Sequence, residues 1–494
     1  MKKKQLLAAV LAAASLTWAS SGAPADAYPM LFPNTGYSYV GDTMPFYDGK
    51  EFRIFYLEDI RNEPIIDGFH PWSLFTTPDF LDYRHNSRII PFPKKEYAKD
   101  FALGTGSVTQ GKNGLYHAFY TGFNWRTHPK ENIMHATSSD MVHWQKIPED
   151  TFKGDAMYLH DDFRDPNVFY NKDYGEYWMT ITTRMSKGNK PRGVIALYTS
   201  QDLKTWANQG VLYAYDEKSD CNLECSTLVK YGDWWYLTFS DQWPDRLTHY
   251  RMAKDSKGPF EQPAGSDTFD AQDFYAGKLV AAKGNLYLTG WAPTKFDEND
   301  KSGTQWAGNM VTHQLKQRTD GTLYPEPVES AVSQLAKPEA VQPIAQSGAV
   351  AVSGSKFSFT GTGRVVLPEL KGLQKITGRF TLAKHPGKFG FMFGVEGTEG
   401  ALNLVFDPAK QQVAFYNTDT AKVLKGKPEL TRAVTLNPGE SYDFTLLVDG
   451  TVATLYINGQ TALTTRMYGL PEHPWGVFSE DGAVTLTDLQ MHTM

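Results

Sequence analysis

Three acidic residues in the first half of the chain have neighbours that suit them to chemistry. Asp165 stands in the run Phe163-Arg164-Asp165-Pro166-Asn167-Val168. A proline disfavours the helical region for the residue before it, so the Asp165 carboxylate is expected on extended, rigid backbone. Arginine stays charged and lowers the pKa of a nearby acid, and a carboxylate accepts from two hydroxyls at once, so the pair suits a polyhydroxylated ligand. By itself it reads first as an ordinary ion pair before a strand. Glu224 lies in Cys221-Asn222-Leu223-Glu224-Cys225-Ser226-Thr227-Leu228-Val229, among apolar and weakly polar neighbours. Such surroundings are expected to raise a carboxyl pKa toward what a general acid needs near neutral pH; the plainer alternative is a surface glutamate on a loop. Asp42 follows Gly41 in Tyr39-Val40-Gly41-Asp42-Thr43-Met44-Pro45, where the glycine lets the backbone bend close to a ligand.

Residues this far apart in the chain need a scaffold that brings them together. Three segments resemble one another: Thr76-Thr77-Pro78-Asp79-Phe80, Thr137-Ser138-Ser139-Asp140-Met141 and Thr199-Ser200-Gln201-Asp202-Leu203, each with an aromatic residue four positions after the aspartate. The aspartates stand 61 and 62 residues apart. A fixed period over β-rich sequence argues for a propeller with one four-stranded blade per repeat. Strand candidates fit: 52–57, 115–121, 177–182, 194–199, 234–239 and 286–291 alternate or run apolar between Gly, Asp and Asn. Residues 28–333 give room for five blades. Equivalent blade positions converge on a central funnel, where Asp42, Asp165 and Glu224, on three successive repeats, would meet. Residues 334–350, rich in Ala, Gln, Pro and Ser, read as a linker. Residues 351–494 return to strands, with Asp449-Gly450 and Asn458-Gly459 as hairpin turns, and read as a β-sandwich. The expected class is all-β, a five-bladed β-propeller followed by a C-terminal β-sandwich.

Composition agrees. The 494 residues include 12 Trp, 26 Tyr and 29 Phe, which favours β-structure and supplies rings that stack on sugars. The net charge of -6 gives no reason to expect nucleic acid or an anionic membrane as a partner. Residues 1–27 read as a signal peptide: Lys2, Lys3 and Lys4, then an apolar stretch from Leu6 to Trp18 too short to span a bilayer, then Ala25-Asp26-Ala27 as a cleavage site. The protein is therefore expected to be secreted, extracellular or periplasmic, without a membrane span, as a monomer or homodimer. Cys221 and Cys225 lack histidine partners for a zinc site and read as buried thiols.

Further motifs carry a resemblance. Arg164-Asp165-Pro166, Glu224-Cys225, Gly104-Thr105-Gly106-Ser107-Val108, Tyr120-Thr121-Gly122, Asp273-Phe274-Tyr275-Ala276 and Gly290-Trp291 are similar, in order, to those of glycoside hydrolase family 32, the β-fructofuranosidases. The resemblance implies Asp42 as nucleophile, Asp165 as transition-state stabiliser and Glu224 as acid/base in a retaining double displacement on sucrose or a fructan, an oligo- or polysaccharide substrate, with no metal and no cofactor. It points to Arg164, Trp72, Ser107, Asp59, Tyr275 and Trp291 as substrate-binding. The first motif departs from the family, which has asparagine at Gly41 and glutamine at Leu57; Asp59, Arg61 or His70-Pro71-Trp72 would fill that space, with Trp72 as the stacking wall. A fructosyltransferase, a furanosidase of another sugar such as arabinose, and a non-catalytic fructan-binding protein are the competing readings.

Overall fold

The computed structural model describes residues 28–61, 70–93, 95–159, 161–187, 190–215, 221–242 and 245–494; the expected signal peptide lies outside them. Five antiparallel units follow one another along the chain. Blade 1 is Tyr39–Tyr47, Phe52–Asp59, Trp72–Thr77 and Asp82–Ile90, and blade 2 is Ala102–Gln110, Tyr116–Phe123, Glu131–Ser138 and Gln145–Lys146. Blade 3 is Phe163–Asn171, Glu176–Lys187, Lys190–Ser200 and Ala207–Ala214. Blade 4 has Leu223–Tyr231, Trp234–Asp241 and Thr248–Ala253, with isolated bridges to Glu261 and Thr268 at its outer edge. Blade 5 is Tyr275–Ala282, Asn285–Lys295, Thr304–Gln317 and Leu323–Glu326, and a single bridge, Gly308 to Val40, joins it to blade 1.

The repeated segments are the corners between the third and fourth strands of blades 1, 2 and 3. In each, a Ser or Thr hydroxyl (Thr77, Ser138, Ser200) accepts the N–H of the apolar residue three positions on. One aspartate oxygen (Asp79, Asp140, Asp202) accepts the next two N–H groups. The apolar residues Phe80, Met141 and Leu203 are held at φ of 65°, 64° and 63°. Hydroxyl and carboxylate satisfy the backbone donors that a turn leaves open, which is why the sequence repeats there.

Every innermost strand carries a register shift: between Val40 and Thr43, Leu103 and Gly106, Arg164 and Asn167, Glu224 and Thr227, and Tyr275 and Lys278. A β-bulge inserts an extra residue and re-aims side chains. The three carboxylates occupy three different positions around these bulges, before it (Glu224), first within it (Asp165) and second within it (Asp42). They also belong to blades 1, 3 and 4, so neither equivalent positions nor successive repeats describe them; blade 2 contributes Thr105 instead.

The C-terminal strands form one hydrogen-bonded path folded into two leaves. Strand Lys356–Glu369 joins them: its start pairs with Val484–Leu486 and its end with Pro474–Ser479. Between the leaves lie Phe380, Phe389, Phe391, Phe406, Phe444 and Trp475. The stretch read as a linker carries strands Lys337–Glu339 and Ala345–Ser353, which pair with sandwich strands. The sandwich also packs onto the propeller. Leu447, Val452, Tyr456 and Ala462 share a core with blade residues, Arg466 donates to the Pro293 and Ala292 carbonyls and to Asn309, and buried Asp270 accepts from Thr464. Among the described residues no helix is long and apolar enough to cross a membrane.

Candidate active site

The bulges of blades 1, 3 and 4 aim their acids into one funnel. Asp42 accepts from Thr105 Oγ1 at 2.6 Å and from the indole N–H of Trp291 at 2.9 Å. Burial pushes its carboxyl pKa up against these hydrogen bonds, with the nearby Glu224 charge adding to the rise. Asp165 is buried and sits at φ 56°, so the extended conformation expected before Pro166 gives way to a left-handed one. Its own N–H donates to Thr121 Oγ1 at 2.9 Å, and its Oδ2 accepts the Cys225 N–H at 2.9 Å; these contacts from blades 2 and 4 over-determine a conformation that costs roughly 1–3 kcal/mol. Burial raises this carboxyl too, opposed chiefly by the Arg164 charge.

Glu224 is held by polar partners, and its apolar sequence neighbours do not define its surroundings. Arg164 Nη2 and Gln242 Nε2 donate to Oε1 at 2.9 and 2.7 Å, and the Tyr275 hydroxyl donates to Oε2 at 2.7 Å. Arg164 makes no hydrogen bond to Asp165; its guanidinium instead joins Glu224, Asp162 and Glu131. Burial pushes Glu131 up to about 7, although Arg164 and the Phe163 N–H oppose the rise. Cys221 and Cys225 are both buried thiols, and burial holds Cys225 well above its ordinary value.

The remaining expected residues divide. Tyr275 and Trp291 touch the carboxylates themselves, as above. Asp59 pairs with Arg61 at 2.7 Å, and Arg61 reaches Thr294, Gln305 and the carbonyls of Trp306 and Ala307, bracing blade 5. Ser107 accepts the Val168 N–H at 2.7 Å and so ties blade 2 to blade 3 below the acids. Trp72 is fully buried in the blade core, with its N–H on the Gly104 carbonyl, and is no wall. The partly exposed tryptophan beside Gly41 is instead Trp306, which the sequence reading missed. Its ring lies over Gly41, where an added Cβ would stand 2.2 Å from Trp306, and it packs against His70 at 4.3 Å and Trp291 at 5.8 Å. Gly41 therefore makes room for an indole, where a freely bending backbone was expected. Thr105, Gln242 and Glu131 were missed as well; Thr105 alone lay in a recognisable motif.

These features coincide with a known family. Residues 41–327 match the glycosyl hydrolases family 32 N-terminal domain, and residues 322–491 match the GH32, BT1760-like, C-terminal domain. The chain belongs to glycoside hydrolase family 32 and is a glycosidase of the β-fructofuranosidase type. Among characterised relatives, the sucrose-6-phosphate hydrolase of Escherichia coli is 24% identical over 433 residues, 83% of this chain and 84% of the relative. The raffinose invertase of Escherichia coli is 21% identical over 437 residues, 84% and 85% of the two chains. Among solved structures, the sucrose-6-phosphate hydrolase of Lactobacillus gasseri superposes with a TM-score of 0.71 at 22% identity, covering 96% of this chain and 94% of the other.

Proposed function

We propose that the protein is an exported, retaining β-fructofuranosidase that releases terminal fructosyl units from sucrose or a fructan. The observation that carries this reading is the pair Asp42 and Glu224, each held by its own hydrogen-bond donors in one funnel. Asp42 attacks the anomeric carbon while Glu224 protonates the leaving oxygen, giving a covalent glycosyl-enzyme; water activated by Glu224 then releases the sugar with its configuration retained. Tyr275 assists the proton traffic. Its hydroxyl has a second acceptor, the Asp241 carbonyl at 3.2 Å, so it can turn away when Oε2 carries the proton. Asp165 receives ring hydroxyls through bonds that strengthen as the oxocarbenium ion develops. Trp306 covers the face of the sugar where the family has amides. Export rests on the Lys2–Lys4 and Leu6–Trp18 leader.

Product analysis on sucrose, inulin and levan tests the substrate, with p-nitrophenyl arabinofuranoside as the control. Free fructose from at least one of the three is expected. Arabinose release without fructose release overturns the assignment, and methanolysis that yields an inverted fructoside overturns the retaining mechanism.

A further inference from the structure

Beneath the acids lies a buried cation for which the mechanism above has no use. Lys278 is 1% exposed. It is the first residue after the bulge in blade 5's innermost strand, the level that Thr43, Gly106, Asn167 and Thr227 occupy in the other four blades. One level of the propeller thus holds four neutral residues and a single ammonium. Its Nζ donates to the Gly106 carbonyl of blade 2 at 2.8 Å. The innermost strand of blade 1 lies between those two strands in the ring, so the side chain crosses the channel.

The charged and titratable groups facing Lys278 come from three blades: Cys225 from blade 4, Asp165 from blade 3 and Asp42 from blade 1. Burial lowers the pKa of the ammonium, and the charges of these groups favour it against that fall. Blade 2 offers neutral Thr105 and the Gly106 carbonyl. On Lys278's own strand the nearest titratable group is Tyr275, whose hydroxyl is on Glu224. Below it the channel opens into a cavity of about 670 Å³ whose lining mixes Val108, Val168, Leu228 and Val280 with Asn167, Thr227, Lys172, Asp173 and Lys230, so Lys278 stands between the acids and the far mouth of the channel. Of the arginines near the site, Arg164 is bonded to Glu224, Asp162 and Glu131, and Arg246 lies over the Tyr275 ring at 4.8 Å. Two carboxylates sharing a low-dielectric site repel each other until one takes up a proton, whereas a cation set under both permits two charges.

We propose that Lys278 is a positioning residue whose ammonium, anchored across the propeller axis on the Gly106 carbonyl, keeps Asp42 and Asp165 ionised together. The nucleophile is then ready to attack while the stabiliser keeps its charge for the oxocarbenium ion. This inference rests on the roles given to Asp42 and Asp165 above.

The experiment measures kcat/KM against pH for the full chain, for Lys278→Met, which removes the charge at similar length, and for Lys278→Arg, which keeps it. Loss of the cation is expected to move the acid limb up by about one pH unit, a tenfold loss at any pH on that limb, while Lys278→Arg leaves the limb near that of the parent. A lysine that serves packing alone lowers the melting temperature and leaves the limb in place. An active parent with an unmoved limb in Lys278→Met defeats this inference alone; a parent without fructosidase activity defeats the functional reading and this inference with it. Should Lys278→Met not fold, the double variant Asp165→Asn/Lys278→Met, from which one acid leaves with the cation, is expected to fold. A double variant that stays unfolded overturns the proposal in favour of packing.

Discussion

At the centre of the sandwich stand Phe380, Phe389, Phe391, Phe406 and Phe444, with the rings of Phe389 and Phe406 parallel at 4.9 Å. At the centre of the propeller stand Asp42, Asp165, Glu224, Arg164 and Lys278. The first set lowers the free energy of the fold by removing hydrocarbon from water. The second set raises it, since each charge gives up solvent and recovers only part of that loss from its partners. The sandwich, bonded to blade 5 through Arg466, braces the wall that carries Trp291 and Trp306. The sandwich packs hydrocarbon at its centre, whereas the propeller, with its hydrophobic cores lying between the blades, holds the strained, charged constellation at its own.

The sharpest separation comes from Glu224→Gln. Activity on substrates with poor leaving groups should fall about a hundred- to ten-thousand-fold, activated aryl glycosides should suffer far less, and the melting temperature should hardly move; equal losses on both substrates contradict the acid role. Phe380→Ala is the reverse experiment. Removing a ring that meets four other phenylalanines should cost ~3–5 kcal/mol in denaturant unfolding, with kcat intact below the transition; a lost kcat in folded protein would show that the sandwich shapes the site directly.

Trp306→Ala should lower kcat/KM about tenfold, ~1.4 kcal/mol, mostly through KM if the ring serves as a sugar wall. An unchanged KM removes Trp306 from the site. The smallest effect concerns charge. Burial raises the Asp42 carboxyl, so the folded state holds a proton more tightly than the unfolded chain. Its ionised form therefore costs stability above the raised pKa, and the cost is relieved as pH falls through it. Asp42→Asn should melt about 2 °C higher than the parent at pH 7, with the difference shrinking toward acid pH. A variant that melts lower at pH 7 would mean that the Thr105 and Trp291 hydrogen bonds outweigh the desolvation.

The propeller was legible because its corners repeat a local device. Ser or Thr, Asp and an apolar residue satisfy the same backbone donors wherever they recur, so the spacing survives in the sequence. The carboxylates were legible through short motifs, but their geometry was not. The bulges place Glu224, Asp165 and Asp42 at three offsets that no spacing reveals, and the left-handed turn at Asp165 is imposed by Thr121 and Cys225 from neighbouring blades. Glu224 misled in a related way: its sequence neighbours are apolar, yet its spatial neighbours are Arg164, Gln242 and Tyr275. Trp306 and Lys278 were unreadable because each acts on residues of other blades, Gly41 for the first and the Gly106 carbonyl for the second.

Gly41 and Trp306 constrain how this site can change over generations. An asparagine at position 41 would collide with the indole, whose nearest atom stands 2.2 Å from where the new Cβ must go. Loss of the indole first leaves bare glycine beside Asp42, with neither ring nor amide at that place. Exchanging glycine with an indole for asparagine without one therefore asks positions 41 and 306 to change together.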